Sequence, residues 1–448
     1  MKKCLLVFAA IVFVNFTSTA QKVEFKEYDL DNGLHVILHK ENAAPVVTVG
    51  VMYQIGAKDE IEGRTGFAHF FEHLLFEGTE NIERGKWFDI VSANGGSNNA
   101  NTTQDRTYYY ETFPSNKLEI GLWMESERML HPKIEKIGVD TQNEVVKEEK
   151  RQRIDNAPYG KIIYRTGIDN HLFKVHPYGR SVIGSMDDLD AAELDEFIGF
   201  NEKYYNPNNA VLVVTGDINI EETKSLILDY FGTIENNAGP NVKLDIVEPA
   251  IDETRYATEY DTNIQIPAYI FSYITPKSVE KDAYTLDYIS SILTGGNSSR
   301  MYKRMVDKDK VALQVLAFNQ ANQDYGTYTM GAIIKGEPDW DMLKSTMDEE
   351  IKKLQTELIS EKEYQKLQNQ FETNYVQANS TVEGIASSLA KYYMLQGETN
   401  RINKQLDIYR TITKEDIKRV ANTYLNPNQR VEIKYLSGTE PVKDTTKQ

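Results

Sequence analysis

The sequence predicts a mixed fold of strands and helices arranged in two homologous halves, and three observations carry that reading. At 448 residues the chain exceeds what one ordinary core encloses, so two or more domains are expected. Short apolar stretches of strand period alternate with longer stretches of helical period. There is also an internal repeat: Phe197, Tyr204, Asn206-Pro207-Asn208 and Val211 recur 220 residues later as Ile417, Tyr424, Asn426-Pro427-Asn428 and Val431. Each copy reads as a charged helix, a Tyr, an Asn-Pro-Asn turn and a strand. The matched length favours duplication over chance convergence on common turn chemistry. The polar stretch 236–253, which holds Gly and Pro, is the expected linker between residues 21–235 and residues 254–448.

In order along the chain, Val23 to Gln54 alternates as strands, with a tight turn at Asp31-Asn32-Gly33, because Asn-Gly is a strong hairpin signal. His35 and His39 fall in these strands and are expected to be structural. A polar segment, Gly56 to Gly66, leads to a helix for which Thr65 is the candidate cap. The Gly-rich run Ser92 to Asp105 before Tyr108-Tyr109-Tyr110 reads as a turn entering a strand, and its small side chains leave room for another backbone to approach. Leu118 to Leu130 and Lys133 to Asp155 read as helices. A loop with His171 and His176-Pro177-Tyr178-Gly179 follows, then a helix ending at Tyr204 and the apolar strand Ala210 to Thr215. The second half has the same alternation of elements: strand Ile264 to Tyr273, helix Asp282 to Leu293, a turn, a helix from Arg300, strands near Val315 and Met330, and further helices.

The chemistry concentrates in His69-Phe70-Phe71-Glu72-His73. On a helix, His69 and His73 lie one turn apart on one face with Glu72 beside them. Two imidazoles suit a divalent zinc, and a catalytic zinc keeps three protein ligands and one open position. The carboxylate between them is placed to take a proton from water, which is hydrolytic chemistry. Ordinary surface polarity is the bland alternative. Phe67, Ala68, Phe70, Phe71, Leu74, Leu75 and Phe76 flank the trio, however, and buried ionisable groups need a partner such as a metal. A third ligand must come from elsewhere: Glu144, Glu148 and Glu149 are candidates that periodicity does not separate. The repeat sets Ile289, Ile292 and Leu293 opposite His69, Glu72 and His73, so only the first half is expected to bind metal.

The net charge of −17 excludes a nucleic-acid or anionic-membrane role. Residues 1–20 read as a secretory signal peptide: Lys2-Lys3, an apolar core from Leu5 to Val14, and small residues Ser18-Thr19-Ala20. Its removal takes away the single Cys, so the mature chain uses neither disulfides nor thiolate ligands. Export to a bacterial periplasm is the expectation, without a membrane anchor.

At these residues the chain resembles the pitrilysin family of inverted zinc peptidases, the group that includes insulysin and mitochondrial processing peptidase. The resemblance rests on His69-x-x-Glu72-His73, on Asn99-Ala100 after the glycine turn, on Val145-Val146-Lys147-Glu148-Glu149, on His176-Pro177-Tyr178-Gly179, and on Gly295-Gly296-Asn297-Ser298-Ser299-Arg300. It implies an α+β fold of two homologous domains, each an antiparallel sheet with helices packed on one side. It implies one zinc per chain held by His69, His73 and Glu149, with Glu72 as general base in a metalloendopeptidase. Substrate peptide is implied to add as a strand near Asn99 and Ala100, with Arg300 also in contact, inside a chamber completed by a second half-length chain. Two positions depart from the pattern: Gln142 stands where many members have Glu, and Leu313 where a substrate-contacting Tyr is expected. The second departure favours a non-identical partner over a homodimer. A non-catalytic scaffold or chaperone-like subunit of the same fold is the alternative function.

Overall fold

The computed structural model describes residues 22–236 and 245–441; the expected signal peptide and residues 237–244 of the expected linker lie outside them. The first sheet contains β1 (Lys26–Asp29), β2 (His35–Lys40), β3 (Val46–Tyr53), β4 (Ser97–Thr102), β5 (Thr107–Pro114) and β6 (Ala210–Gly216), in the order β1-β2-β6-β3-β5-β4. The second contains β7 (Arg255–Asp261), β8 (Ala268–Thr275), β9 (Ala312–Ala321), β10 (Gly326–Ile334) and β11 (Val431–Ser437), in the order β7-β11-β8-β10-β9. Leaving out β1, the two orders are the same when β2 through β6 are matched to β7 through β11. The repeat seen in the sequence therefore extends to strand topology. Its Asn-Pro-Asn corners form matching short 3-10 turns, Pro207–Asn209 and Pro427–Gln429, each after a helix ending in Tyr and before the inner strand of its sheet.

The α+β class stands, and two details within it differ from expectation. Neither sheet is wholly antiparallel: β2 pairs with β6, and β7 with β11, in parallel. A parallel pair needs a long crossover, and most of each half lies between its two members. Nor do helices cover one side only. The principal core of the first half joins one face of its sheet to the helix Phe67–Leu74 and its neighbours, through Val36, Val49, Val51, Phe70 and Leu122. The opposite face, with Ile37, Met52, Tyr108 and Val213, is covered by Ile385, Ala386, Leu389 and Ala390 of the helix Val382–Gln396. That helix belongs to the second half of the chain. Reciprocally, Ile168 and Leu172 of the helix Thr166–Leu172, in the first half, pack against Ile270, Val431 and Ile433 of the second sheet. The sequence carries the physical reason: β6 is buried at every position, so its apolar side chains require cover on both faces.

Polar contacts tie the halves together as well. Lys58 Nζ lies 3.1 Å from Asp105 and 2.8 Å from Asp324. The Tyr178 hydroxyl donates to Asp105 at 2.5 Å and accepts from the Asp324 backbone N–H at 3.1 Å. This network joins the β4–β5 turn to the β9–β10 turn, using the Tyr of the His-Pro-Tyr-Gly loop. His35 and His39 are structural, as expected: His35 bonds Asp29 at 2.7 Å and stacks on Tyr393, and His39 bonds the Glu24 carbonyl at 2.6 Å.

Because Leu389 is fully buried between the halves, Leu389→Ala should lower the free energy of unfolding by about 2–5 kcal/mol, the usual range for such a cavity. Urea denaturation of the full chain measures this. A loss below about 0.5 kcal/mol, the scale of surface substitutions, would show that the helix does not cover the first sheet.

Candidate metal centre

The helix Phe67–Leu74 spans only two turns and is below the length at which a helix is stable alone. Buried side chains hold both its ends. At the N-terminus the Glu60 carboxyl accepts hydrogen bonds from the Gly66 and Ala68 N–H groups, both at 2.8 Å. Thr65, the cap expected from sequence, is turned away to Asp188, which accepts from both its N–H and its hydroxyl. The cause is Gly66, whose φ of +94° makes a sharp entry that carries the preceding side chain off the helix axis. Beyond the C-terminus, Arg128 donates to the Leu75 carbonyl at 3.1 Å and is itself held by Glu111 and Glu125. A cation at that end also complements the helix dipole. In mid-helix the Tyr109 hydroxyl donates to the Phe71 carbonyl at 2.8 Å.

Clamped in this way, the helix turns His69 and His73 toward the long helix Lys136–Lys150. There the structure separates the three candidate carboxylates. Glu149 Oε2 lies 3.6 Å from His69 Nε2 and 3.1 Å from His73 Nε2. Glu144 bonds Lys147 and Glu148 bonds Arg151 and Gln152, both on the solvent side. One ligand atom from each of His69, His73 and Glu149 falls within a group no more than 4.8 Å across. The helix then widens into a π turn over Arg151–Asp155, and Arg153 reaches back to Glu149 Oε1 at 2.8 Å. That leaves Oε2 for the histidines.

Burial first, and the neighbouring His73 second, lower the His69 pKa to about 4, so its ring is neutral at neutral pH. Burial works upward on Glu149, but the His73 hydrogen bond and the nearby positive groups outweigh it and hold this carboxyl below its usual range. Neutral imidazole and ionised carboxylate are the states that bind zinc, so the donor set fits that ion. Glu72 is not part of the trio. Its Oε2 accepts from Thr102 Oγ1 at 2.7 Å, and burial raises its carboxyl above the ordinary range against the pull of that bond.

A cleft of about 590 Å³ opens over these groups, lined by His69, Glu72, His73 and Glu149 on one side and by Asn98 through Thr102 of β4 on the other. Among the described residues strand β4 ends its sheet and pairs only with β5. The Ala100 N–H is not engaged in that ladder; it donates to the Asn99 side chain at 2.9 Å. Asn99 and Ala100 thus lie at the cleft, whereas Arg300 does not line it: its guanidinium is paired with Glu363 at 3.0 and 3.2 Å. Leu313 is an exposed residue near the start of β9. At Gln142 the side-chain amide donates to Glu77 at 2.5 Å, so a Glu at this position would face a second carboxylate. Thr102, Arg153, Glu60 and Arg128 are not legible as site residues in the sequence, since each acts through a partner distant along the chain.

Fold and donor set together define a class, the two-domain zinc peptidase folds with a His-x-x-Glu-His helix. Two family models match the chain: "Insulinase (Peptidase family M16)" over residues 35–185 and "Peptidase M16 inactive domain" over residues 191–371. The chain belongs to peptidase family M16. It is 29% identical over 411 residues to the zinc protease PqqE of Helicobacter pylori, covering 90% of this chain and 91% of that one. The crystal structure of a protease from Helicobacter pylori superposes with a TM-score of 0.87 at 27% identity, over 92% of this chain and 100% of that one. The periplasmic protease PqqL of Escherichia coli shares the fold with a TM-score of 0.75 at 19% identity, over 94% of this chain but 48% of that one. The model described as inactive matches the half in which Ile289, Ile292 and Leu293 are buried in a core instead of carrying ligands.

The donor assignment is tested by metal content. Glu149→Gln should lower zinc affinity by at least about tenfold, as loss of groups at or around a metal does. Glu148→Gln, one residue away on the solvent side, should leave it unchanged. Equal zinc affinity for both variants in a competition titration would show that Glu149 is not a ligand.

Proposed function

We propose that the protein is a zinc-dependent endopeptidase acting on peptides or unfolded segments, with one zinc per chain. The observation that carries this reading is the convergence of His69, His73 and Glu149 beside a separate carboxyl, Glu72, all facing an edge strand whose outer side pairs with no other strand among the described residues. When bound, zinc polarises a carbonyl and makes water a nucleophile at neutral pH. His69 and His73 hold the ion as neutral imidazoles, Glu149 completes the set, and Arg153 fixes the Glu149 orientation. Glu72, steadied by Thr102, takes the proton from the attacking water and passes it to the leaving amine. The peptide lies along β4 as an added strand, its backbone bonding to Ala100 and its neighbours in place of the Asn99 side chain.

A second half-length chain completes the enclosure. Support for this comes from the likeness to one half of the longer Escherichia coli protein. Since Arg300 is engaged by Glu363 and Leu313 stands where a Tyr is expected, we favour a non-identical partner that supplies substrate contacts from its own second half. Export to a periplasm fits the leader-like residues 1–20 and the periplasmic setting named for the Escherichia coli protein. Among the described residues no helix is long and apolar enough to cross a membrane. A scaffold subunit would have no use for three ligands and a base together.

Glu72→Gln should keep its zinc and lose peptide cleavage by about two to four powers of ten, the loss usual for a general base; cleavage at the parental rate would remove Glu72 from that role. Sedimentation of the chain purified alone, combined with peptide cleavage, tests partnership: low activity that rises when a companion subunit is added is expected. A fully active homodimer indifferent to any companion would refute the non-identical partner.

A further inference from the structure

The segment that brings Glu149 to the imidazoles also carries Lys147, Lys150, Arg151 and Arg153. The first three have carboxylates away from the metal trio. Lys147 pairs with Asp190 at 2.7 Å and Glu144 at 2.9 Å, Lys150 with Asp155 at 2.8 Å, and Arg151 with Glu148 at 3.2 Å. Arg153 differs. It stands one turn beyond Glu149 on the same face, and its Nη1 donates to Glu149 Oε1 at 2.8 Å. The other oxygen of that carboxylate faces His69 and His73. Among the described residues Arg153 pairs with no further carboxylate, so its one counter-charge is shared with the donor trio.

Holding Glu149 takes a small part of the guanidinium, whose planar fork presents several N–H donors. The Arg153 side chain is 58% exposed, and it lines the cleft together with Glu149. Among the described residues that line this cleft it is the one Lys or Arg. Apart from the donor trio and Glu72, the other side chains there are amides, hydroxyls, aromatic rings and aliphatic groups. On the peptidase reading, on which this inference rests, the peptide runs along β4 through the cleft. Alternate side chains of an extended peptide point the same way, so the few near the trio include one able to face Arg153. We propose that Arg153 binds an acidic side chain of the peptide close to the scissile bond, using donors that Glu149 leaves open. The net charge of −17 repels acidic peptides at long range, so a preference for acid at one position has to be set by a local cation. A planar fork beside the metal trio also matches the two oxygens of a carboxylate.

The test uses the full, zinc-loaded chain carrying Glu72→Gln, so that bound peptide persists. Fluorescence anisotropy measures binding of a neutral, end-blocked ten-residue peptide scanned at each position with Glu, Gln or Lys. Glu should bind roughly tenfold tighter than Lys at one sensitive position. Arg153→Gln should remove that difference, and Arg153→Lys should keep part of it. Zinc affinity is measured for each variant, and a uniform loss of binding cancels in the ratio of Glu to Lys within one protein. Peptides bound without charge preference would overturn the subsite alone. So would an unchanged ratio in Arg153→Gln, even with weakened zinc, because the arginine would then only position Glu149. Failure of every peptide to bind would overturn both the subsite and the peptidase reading.

Discussion

The structure depends on holding a helix too short to hold itself. Eight residues cannot offset the cost of helix nucleation in water, yet they must fix two imidazoles to within a fraction of an ångström. Glu60 satisfies the N–H groups that begin the helix, and Arg128 engages the carbonyl just beyond its end. Both are buried, so the bonds do not compete with bulk water. The aromatic pile of Phe67, Phe70 and Phe71 on Phe197 and Phe200 then fixes the rotation about the helix axis. Only after these restraints does the direction of His69 and His73 become definite.

The duplicated half shows what the same topology does without that chemistry. Its helix Lys281–Thr294 follows β8 as the helix Phe67–Leu74 follows β3, but it has fourteen residues and buries Ile289, Ile292 and Leu293 in its own core. The longer helix is stabilised by apolar burial along its length and carries no capping carboxylate. One copy thus turns two imidazoles out of a short helix and needs external restraint, while the other gains stability directly from packing.

The halves are not independent bodies joined by a tether. Each lends a helix to the uncovered face of the other's sheet, and the Lys58, Asp105, Tyr178 and Asp324 network joins their turns. Asp105 sits three residues beyond the end of β4, so the strand that borders the cleft is anchored by a residue whose partners include the second half. A change at the junction therefore reaches the cleft through one short turn.

By itself the sequence determined the duplication, the mixed fold and the His69-Glu72-His73 helix, because all of these are written in local period and spacing, whereas the run Ser92 to Asp105 reads as a turn and holds strand β4. It also set Ile289, Ile292 and Leu293 of the second half against the trio. Tertiary structure decided the rest. Residue spacing leaves Glu144, Glu148 and Glu149 equivalent, and only the crossing of two helices brings Glu149 to the imidazoles. Thr65 has the chemistry of a cap, but the backbone turn at Gly66 gives that place to Glu60. Strand β7 carries little apolar pattern, since it is an edge strand half-exposed along its length and is defined by its distant parallel partner β11. Short-range pattern records which face of an element seeks burial; which element arrives to bury it depends on contacts between residues hundreds of positions apart.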